Sequence, residues 1–227
     1  MAKQLIFDLP TREALGRDAF FVSPSNAVAL ATLDMADTWP SGKLALVGPS
    51  GAGKTHMAHV WAAERKAVIV NASDLPNADI PELASHRAVV VEDADQLDGT
   101  PNQRPAEEAL FHLHNLTLAE GGRLLVTARR APNHWSLTLP DLASRMQGTT
   151  VAKIDAPDDS LLAAMLVKQF QDRQIAVPAT LIPWLVKRME RSASAARSIV
   201  DKLDKEALRS AKPVSRTLAA QLLEAEE

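Results

Sequence analysis

Cysteine is absent from the 227 residues, which excludes a disulfide framework and a thiolate metal site and fits a reducing compartment. Charge of neither sign dominates. The 25 basic and 28 acidic residues leave a net charge of −3, with no strongly basic surface for nucleic acid. No apolar run approaches the roughly 20 residues of a membrane span. The first residues, Met1 to Ile6, lack the long apolar core of a signal peptide. There is no internal repeat and no long low-complexity tract. The four tryptophans, Trp39, Trp61, Trp135 and Trp184, are scattered and form no stripe on which bases could stack. What remains is a chain that is 46% apolar and long enough for one large or two small domains. It is expected to be soluble and cytoplasmic, with no membrane partner.

Against this background one octapeptide stands out. Gly48-Pro49-Ser50-Gly51-Ala52-Gly53-Lys54-Thr55 fits G-x-x-x-x-G-K-[ST]. It follows an apolar run, Leu44 to Val47, that reads as a buried strand. The segment after it, through Trp61, reads as a helix. In that context the glycines let successive backbone N–H groups turn inward around a diphosphate, and the helix N-terminus adds partial positive charge. Pro49, Ser50, Gly51, Ala52, Gly53, Lys54, Thr55 and His56 are therefore candidate ATP- or ADP-binding residues. Lys54 would reach the terminal phosphates, and the Thr55 hydroxyl would sit on Mg²⁺.

Four further short apolar runs follow, at residues 67–70, 88–91, 124–127 and 149–154, with helix-compatible stretches between most of them. The alternation predicts an α/β fold: an αβα sandwich on a five-stranded parallel sheet. The pattern changes after Ile154. Asp155-Ala156-Pro157-Asp158-Asp159 reads as a hinge whose acidic end can cap a helix. Beyond it Leu161, Leu162, Met165, Leu166 and Phe170 mark one amphipathic helix. Ala196, Ile199, Val200, Leu203 and Ala207 mark another, and Ser215 could cap a last one carrying Leu218, Leu222 and Leu223. The expected organisation is a tail over residues 1–11, an αβα domain over 12–156 and a helical domain over 157–227.

The run at 88–91 ends in two carboxylates, Glu92 and Asp93, where a P-loop protein carries its Walker B element. On that reading Glu92 holds Mg²⁺ through water and Asp93 orients the attacking water; the plainer reading is a strand ending in acidic turn residues. The usual order is Asp then Glu, so the swap alters reach at both positions and predicts weak intrinsic hydrolysis at best. Thr127 could touch the γ-phosphate or the catalytic water, or be a satisfied strand-end threonine. Arg145 precedes the last strand, where an exposed arginine can reach a nucleotide held by a neighbouring subunit; spacing alone does not separate this from an ordinary surface arginine. His56 and His59 lie at i, i+3, but no third metal ligand accompanies them. His112 and His114, two apart in a predicted helix, point to different sides and read as surface or packing residues.

Taken together, these residues resemble the DnaA-type AAA+ family. Gly51 to His59, with both histidines, is similar to the family's extended P-loop. Phe20 to Asn26, including Phe21 and Val22, resembles its segment bordering the adenine, with Ser23 in place of the usual Gly. Phe111 to Asn115 and Thr127 to Pro132 are similar to the helix before sensor 1 and to the sensor 1 region, with Arg129 where an acid is usual. The resemblance places the arginine finger on Arg145. It reads the C-terminal helices as the AAA+ lid, whose sensor 2 arginine would fall near Ser194, with Arg197 as a substitute one turn later.

The resemblance covers roughly residues 12–226. The chain ends at Glu227 without the helix-turn-helix of a full DnaA, and only residues 71–87 separate the second and third strands, where the initiator's insertion grips single-stranded DNA. These differences point to the short members that inactivate DnaA. Gln4, Leu5, Phe7 and Leu9 resemble a peptide that docks on the DNA polymerase III sliding clamp, although their period-2 alternation also suits a first edge strand. The resemblance thus implies a nucleotide-binding regulator of replication initiation. DnaA and the clamp are its partners, DNA is met only indirectly, a homo-oligomer is possible, and its own ADP or ATP is structural. The competing expectations are a DnaA-like or helicase-loader-like protein acting directly on DNA, and a P-loop kinase or nucleotide-metabolising enzyme.

Overall fold

In a computed structural model, residues 21–97 and 99–224 are described. Five strands form one parallel sheet: β1 (Lys43–Val47), β2 (Val68–Asn71), β3 (Ala88–Glu92), β4 (Arg123–Ala128) and β5 (Thr150–Lys153). Their spatial order is β2-β3-β4-β1-β5. Every pairing is parallel, so β1 lies between two neighbours with its C-terminal end at a topological switch.

Alternation along the strands sorts the core into two layers. Ala45, Val47, Val89, Val91, Leu124 and Val126 point to one face. There they pack under α3 (Ile80–Ser85), α4 (Gln103–Ala119) and α5 (Pro140–Gln147), through side chains such as Leu110, Leu113, Leu142 and Met146. Leu44, Leu46, Val90, Leu125 and Ala152 point to the other face, beneath α1 (Ala27–Asp34) and α2 (Lys54–Arg65). The five expected strands and the helix-covered parallel sheet are therefore observed. Trp39 and Trp61 stack with ring centroids 5.3 Å apart in the second layer, a packing role rather than a base platform.

The C-terminal helices build their own core. They are α6 (Asp159–Asp172), α7 (Leu181–Val186), α8 (Ala193–Ser210) and α9 (Arg216–Glu224). Leu162, Leu166, Phe170, Leu185, Ile199, Val200 and Leu203 meet there. Asp158 caps α6, its carboxylate accepting the Leu161 amide at 2.8 Å. The Leu218 amide reaches the Ser215 hydroxyl at 3.3 Å. The periodicity did not mark α7, because Pro183 interrupts its apolar run. Pro183 stands in the first turn, where a backbone N–H has no intrahelical acceptor and proline costs little. Among the described residues no helix is long and apolar enough to cross a membrane.

Candidate functional site

The loop from Gly48 to Gly53 links the end of β1 to the start of α2. Two of its glycines are conformationally required: Gly51 has φ +72° and Gly53 has φ +102°, in the region that side chains disfavour. No side chain caps α2, so its first amides face the loop, as anion binding at a helix N-terminus requires. Lys54 is buried. Its Nζ donates to the carbonyls of Gly48 at 2.8 Å and Pro49 at 2.9 Å. Burial pulls its pKa below the usual lysine value, the charges of Asp93 and Asp95 oppose that pull, and Arg129 adds to it. An anion brought into the loop would relieve the desolvated ammonium. Pro49, Ser50 and Thr55 are exposed beside it.

Glu92 ends β3 on the face shared with Val90, toward α2. Its Oε2 is 3.9 Å from His59 Nε2, and its Oε1 is buried with no hydrogen-bond partner. An orphaned carboxylate oxygen at the strand ends is the donor a hard cation takes, together with a P-loop hydroxyl and phosphate oxygens, so Thr55 and Glu92 fit Mg²⁺. No group of three or more His, Asp or Glu is placed for a metal among the described residues. His56 lies near the lid, where burial, His59 and Lys168 lower its pKa.

Asp93 follows with φ +55°, a strained backbone that turns the chain at the strand end. Its amide donates to Thr127 Oγ1 at 3.1 Å. Thr127 is buried, and its carbonyl also accepts the Ala94 amide at 2.9 Å. The threonine thus ties the end of β4 to the turn after β3 and keeps a hydroxyl proton to donate. Sequence reasoning passed over Asp95. This buried carboxylate accepts the Arg129 and Arg130 amides, both at 3.0 Å, and fixes the loop after β4. Its signal was present as the third acid of Glu92-Asp93-Ala94-Asp95.

The lid reaches the same loop. The Ala193 amide, at the start of α8, donates to Gly51 O at 3.0 Å. Ser192, buried, caps α8 by accepting the Ala195 amide at 3.0 Å and bonds to Ser194 Oγ at 3.0 Å. A Cβ on Gly51 would collide with Ser192, so small residues are needed on both sides of this contact. Ser194 lies against the P-loop, and Arg197 is exposed one turn further along α8. Phe21 and Val22 are exposed on the segment before α1. Ser23 has no positive φ, so this turn does not demand the glycine it replaces. Asn26 holds the turn, accepting the Ser23 amide and donating to Phe21 O, both at 2.9 Å.

Arg145 is elsewhere. It is exposed near the end of α5, and its carbonyl accepts from Nζ of Lys43, the first residue of β1. The P-loop leaves the other end of β1, roughly 13 Å away at about 3.3 Å per residue. The structure therefore gathers the P-loop, Glu92, Asp93, Thr127 and Ser194 at one end of the sheet and leaves Arg145 at the other. Gln4, Leu5, Phe7 and Leu9 lie outside the described residues.

No protein-family model matches the chain. Among solved structures, domain III of the Thermotoga maritima replication initiation protein DnaA superposes with a TM-score of 0.80. Its identity is 19% over 96% of this chain and 98% of that one. DnaA from Aquifex aeolicus bound to AMPPCP gives 0.67 at 16% identity, over 82% of this chain and 63% of that one. A single-substitution variant of Thermotoga maritima RuvB gives 0.65 at 15% identity, over 90% and 70%. At these identities the likeness establishes fold: an AAA+ P-loop αβα sandwich followed by a helical lid. The chain shares this fold with both DnaA structures and with RuvB.

Proposed function

We propose that this chain is a nucleotide-binding AAA+ regulator of chromosome replication initiation, of the Hda type, which promotes hydrolysis of ATP bound to DnaA. The observation that carries the reading is the position of Arg145. It is exposed, anchored at the strand ends opposite its own P-loop, and so is suited to serve a nucleotide held by another molecule. A guanidinium delivered there stabilises charge on the transferring phosphoryl group. Aquifex aeolicus DnaA is bound to AMPPCP, and ADP or ATP would be the corresponding ligand here.

In the chain's own site Lys54 and the loop amides would bind the phosphates, Phe21 and Val22 would border the base, and Ser194 and Arg197 would approach from the lid. Thr55 and Glu92 would hold Mg²⁺, which supplies charge neutralisation at the phosphates. Asp93 and Thr127 would orient a water. Glu92 in place of Asp, and Ser194 in place of Arg, favour a bound nucleotide that is structural over rapid turnover. Gln4, Leu5, Phe7 and Leu9 are assigned to the DNA polymerase III sliding clamp, so contact with DNA is indirect.

Single-turnover hydrolysis of ATP by the cognate DnaA, with clamp loaded on DNA, tests the reading. The wild-type chain is expected to stimulate strongly, while Arg145→Ala and the double variant Gln4→Ala/Leu5→Ala are expected not to. Absence of stimulation by the wild type, with tight and salt-sensitive DNA binding instead, would replace this reading with a protein acting directly on DNA.

A further inference from the structure

The carbonyl of Arg145 is one of the last in α5 and has no acceptor role left within the helix. Two side chains from outside the helix use it: Lys43 Nζ donates at 2.5 Å and Thr149 Oγ1 donates at 3.2 Å. Lys43 is buried at 6% exposure, and its bonding partners among the described residues include no carboxylate. Its other partner is His114 Nε2 at 3.3 Å. On the far side of that ring, Nδ1 and Asn115 Oδ1 are 3.0 Å apart. The amide oxygen can only accept, so Nδ1 carries the proton and Nε2 is left to accept from the ammonium. The chain is therefore directional: Lys43 donates to His114 and to Arg145 O, and His114 donates to Asn115.

A buried lysine with no acid is costly unless its ammonium finds acceptors within the protein. Here the charge faces the negative end of α5 and a helix carbonyl, an interaction that favours a cation. Burial first, then the nearby Arg145 charge, pulls the Lys43 pKa down. Burial also lowers that of His114, despite the Asn115 bond, with Lys43 and Arg145 adding to the fall, so the ring stays neutral and able to accept. Lys43, His114, Asn115 and Arg145 all border a crevice of about 510 Å³.

We propose that Lys43, oriented by His114, is a positioning residue for Arg145: it pins the end of α5 to the start of β1 and so fixes where the guanidinium is presented to a partner's nucleotide. The inference rests on the reading of Arg145 as a finger acting in trans. Small displacements of a charge-stabilising group cost up to about 10²-fold in rate. A local tether of this kind changes the maximal rate and leaves docking alone.

The test uses the full chain in the DnaA hydrolysis assay, with Arg145→Ala, Lys43→Met and Lys43→Cys measured side by side. The chain has no cysteine, so alkylation of Lys43→Cys in denaturant with 2-bromoethylamine, followed by refolding, restores an ammonium at this position alone. Lys43→Met is expected to lower the maximal stimulated rate by about 10- to 100-fold. The half-saturating concentration of the chain and its ADP affinity stay unchanged. The alkylated cysteine variant is expected to recover most of the rate. If Arg145→Ala keeps full stimulation, the trans-finger reading fails and takes this inference with it. If Arg145→Ala is inactive while Lys43→Met stimulates normally, or alkylation restores nothing, the positioning role alone is overturned. Should Lys43→Met fail to fold, His114→Phe removes one acceptor from the ammonium. A several-fold loss of maximal rate is then expected, and an unchanged rate overturns the proposal.

Discussion

The two ends of the sheet are built on opposite principles. At the C-terminal ends, glycines at positive φ, uncapped helix amides and exposed Thr55 leave donors facing outward around Lys54. At the N-terminal ends around Arg145 the buried polar groups are partnered within the protein instead. Lys43 and His114 are buried and spend their hydrogen bonds on the protein itself, while the Arg145 side chain projects. A site that holds its own ligand needs backbone freedom and unspent donors. A group that acts on another molecule's ligand needs a rigid mount. The separation within one small domain fits two phosphate-directed functions aimed at two different nucleotides.

The largest expected effect breaks the N-terminal end. Arg145→Ala should reduce stimulated hydrolysis by roughly 10³-fold or more, in the range for fingers supplied in trans. Its ADP affinity, read by calorimetry, should be that of wild type. Lys54→Ala should do the converse in the chain's own site and weaken ADP binding by about 100-fold, as expected for losing a charge-assisted contact to phosphate.

A third prediction concerns the mount of α5 at its other end. Glu107 is fully buried on α4 and accepts from the Thr138 amide at 3.0 Å, the Thr138 hydroxyl at 2.8 Å, the Leu139 amide at 2.7 Å and Gln103 at 2.9 Å. Burial alone would raise its pKa, but these donors overcome it and hold the carboxyl below the usual value. Its stabilisation is therefore complete above the unfolded carboxylate value, about 4.3, and is lost as pH falls through the lower folded-state value. Glu107→Leu should cost about 3 kcal/mol in denaturant unfolding, since several buried donors lose their acceptor. Glu107→Gln should flatten that part of the acid limb. The smallest effect is expected at Thr127→Val, about 1 kcal/mol, because the Asp93 amide loses its acceptor.

The sheet was legible because a parallel strand buried on both faces is an apolar run, and all five runs read as strands are strands. The phosphate loop was legible because its geometry demands glycine at fixed offsets. Glu92 was placed correctly at the strand end, but its orphaned oxygen depends on packing that no spacing reveals. The mount of Arg145 was not legible at all. Lys43 and Arg145 are 102 residues apart, and Lys43 and His114 are 71 apart. A lysine opening an apolar strand reads as a solvated end, and His114 read as a surface or packing residue. Glu107 was hidden for the same reason, since nothing local distinguishes a buried glutamate from an exposed one on an amphipathic helix. Motifs report chemistry carried by neighbours in sequence, whereas buried charge is specified by partners far along the chain.

On the proposed function, one end of the sheet holds this chain's nucleotide and the other acts on a partner's. Arg145→Ala tests it most directly when ADP affinity and stimulation of DnaA-bound ATP hydrolysis are measured on the same preparation. Unchanged affinity with stimulation lost is the expected outcome. Weakened ADP binding with stimulation intact would place Arg145 at its own chain's nucleotide and contradict it.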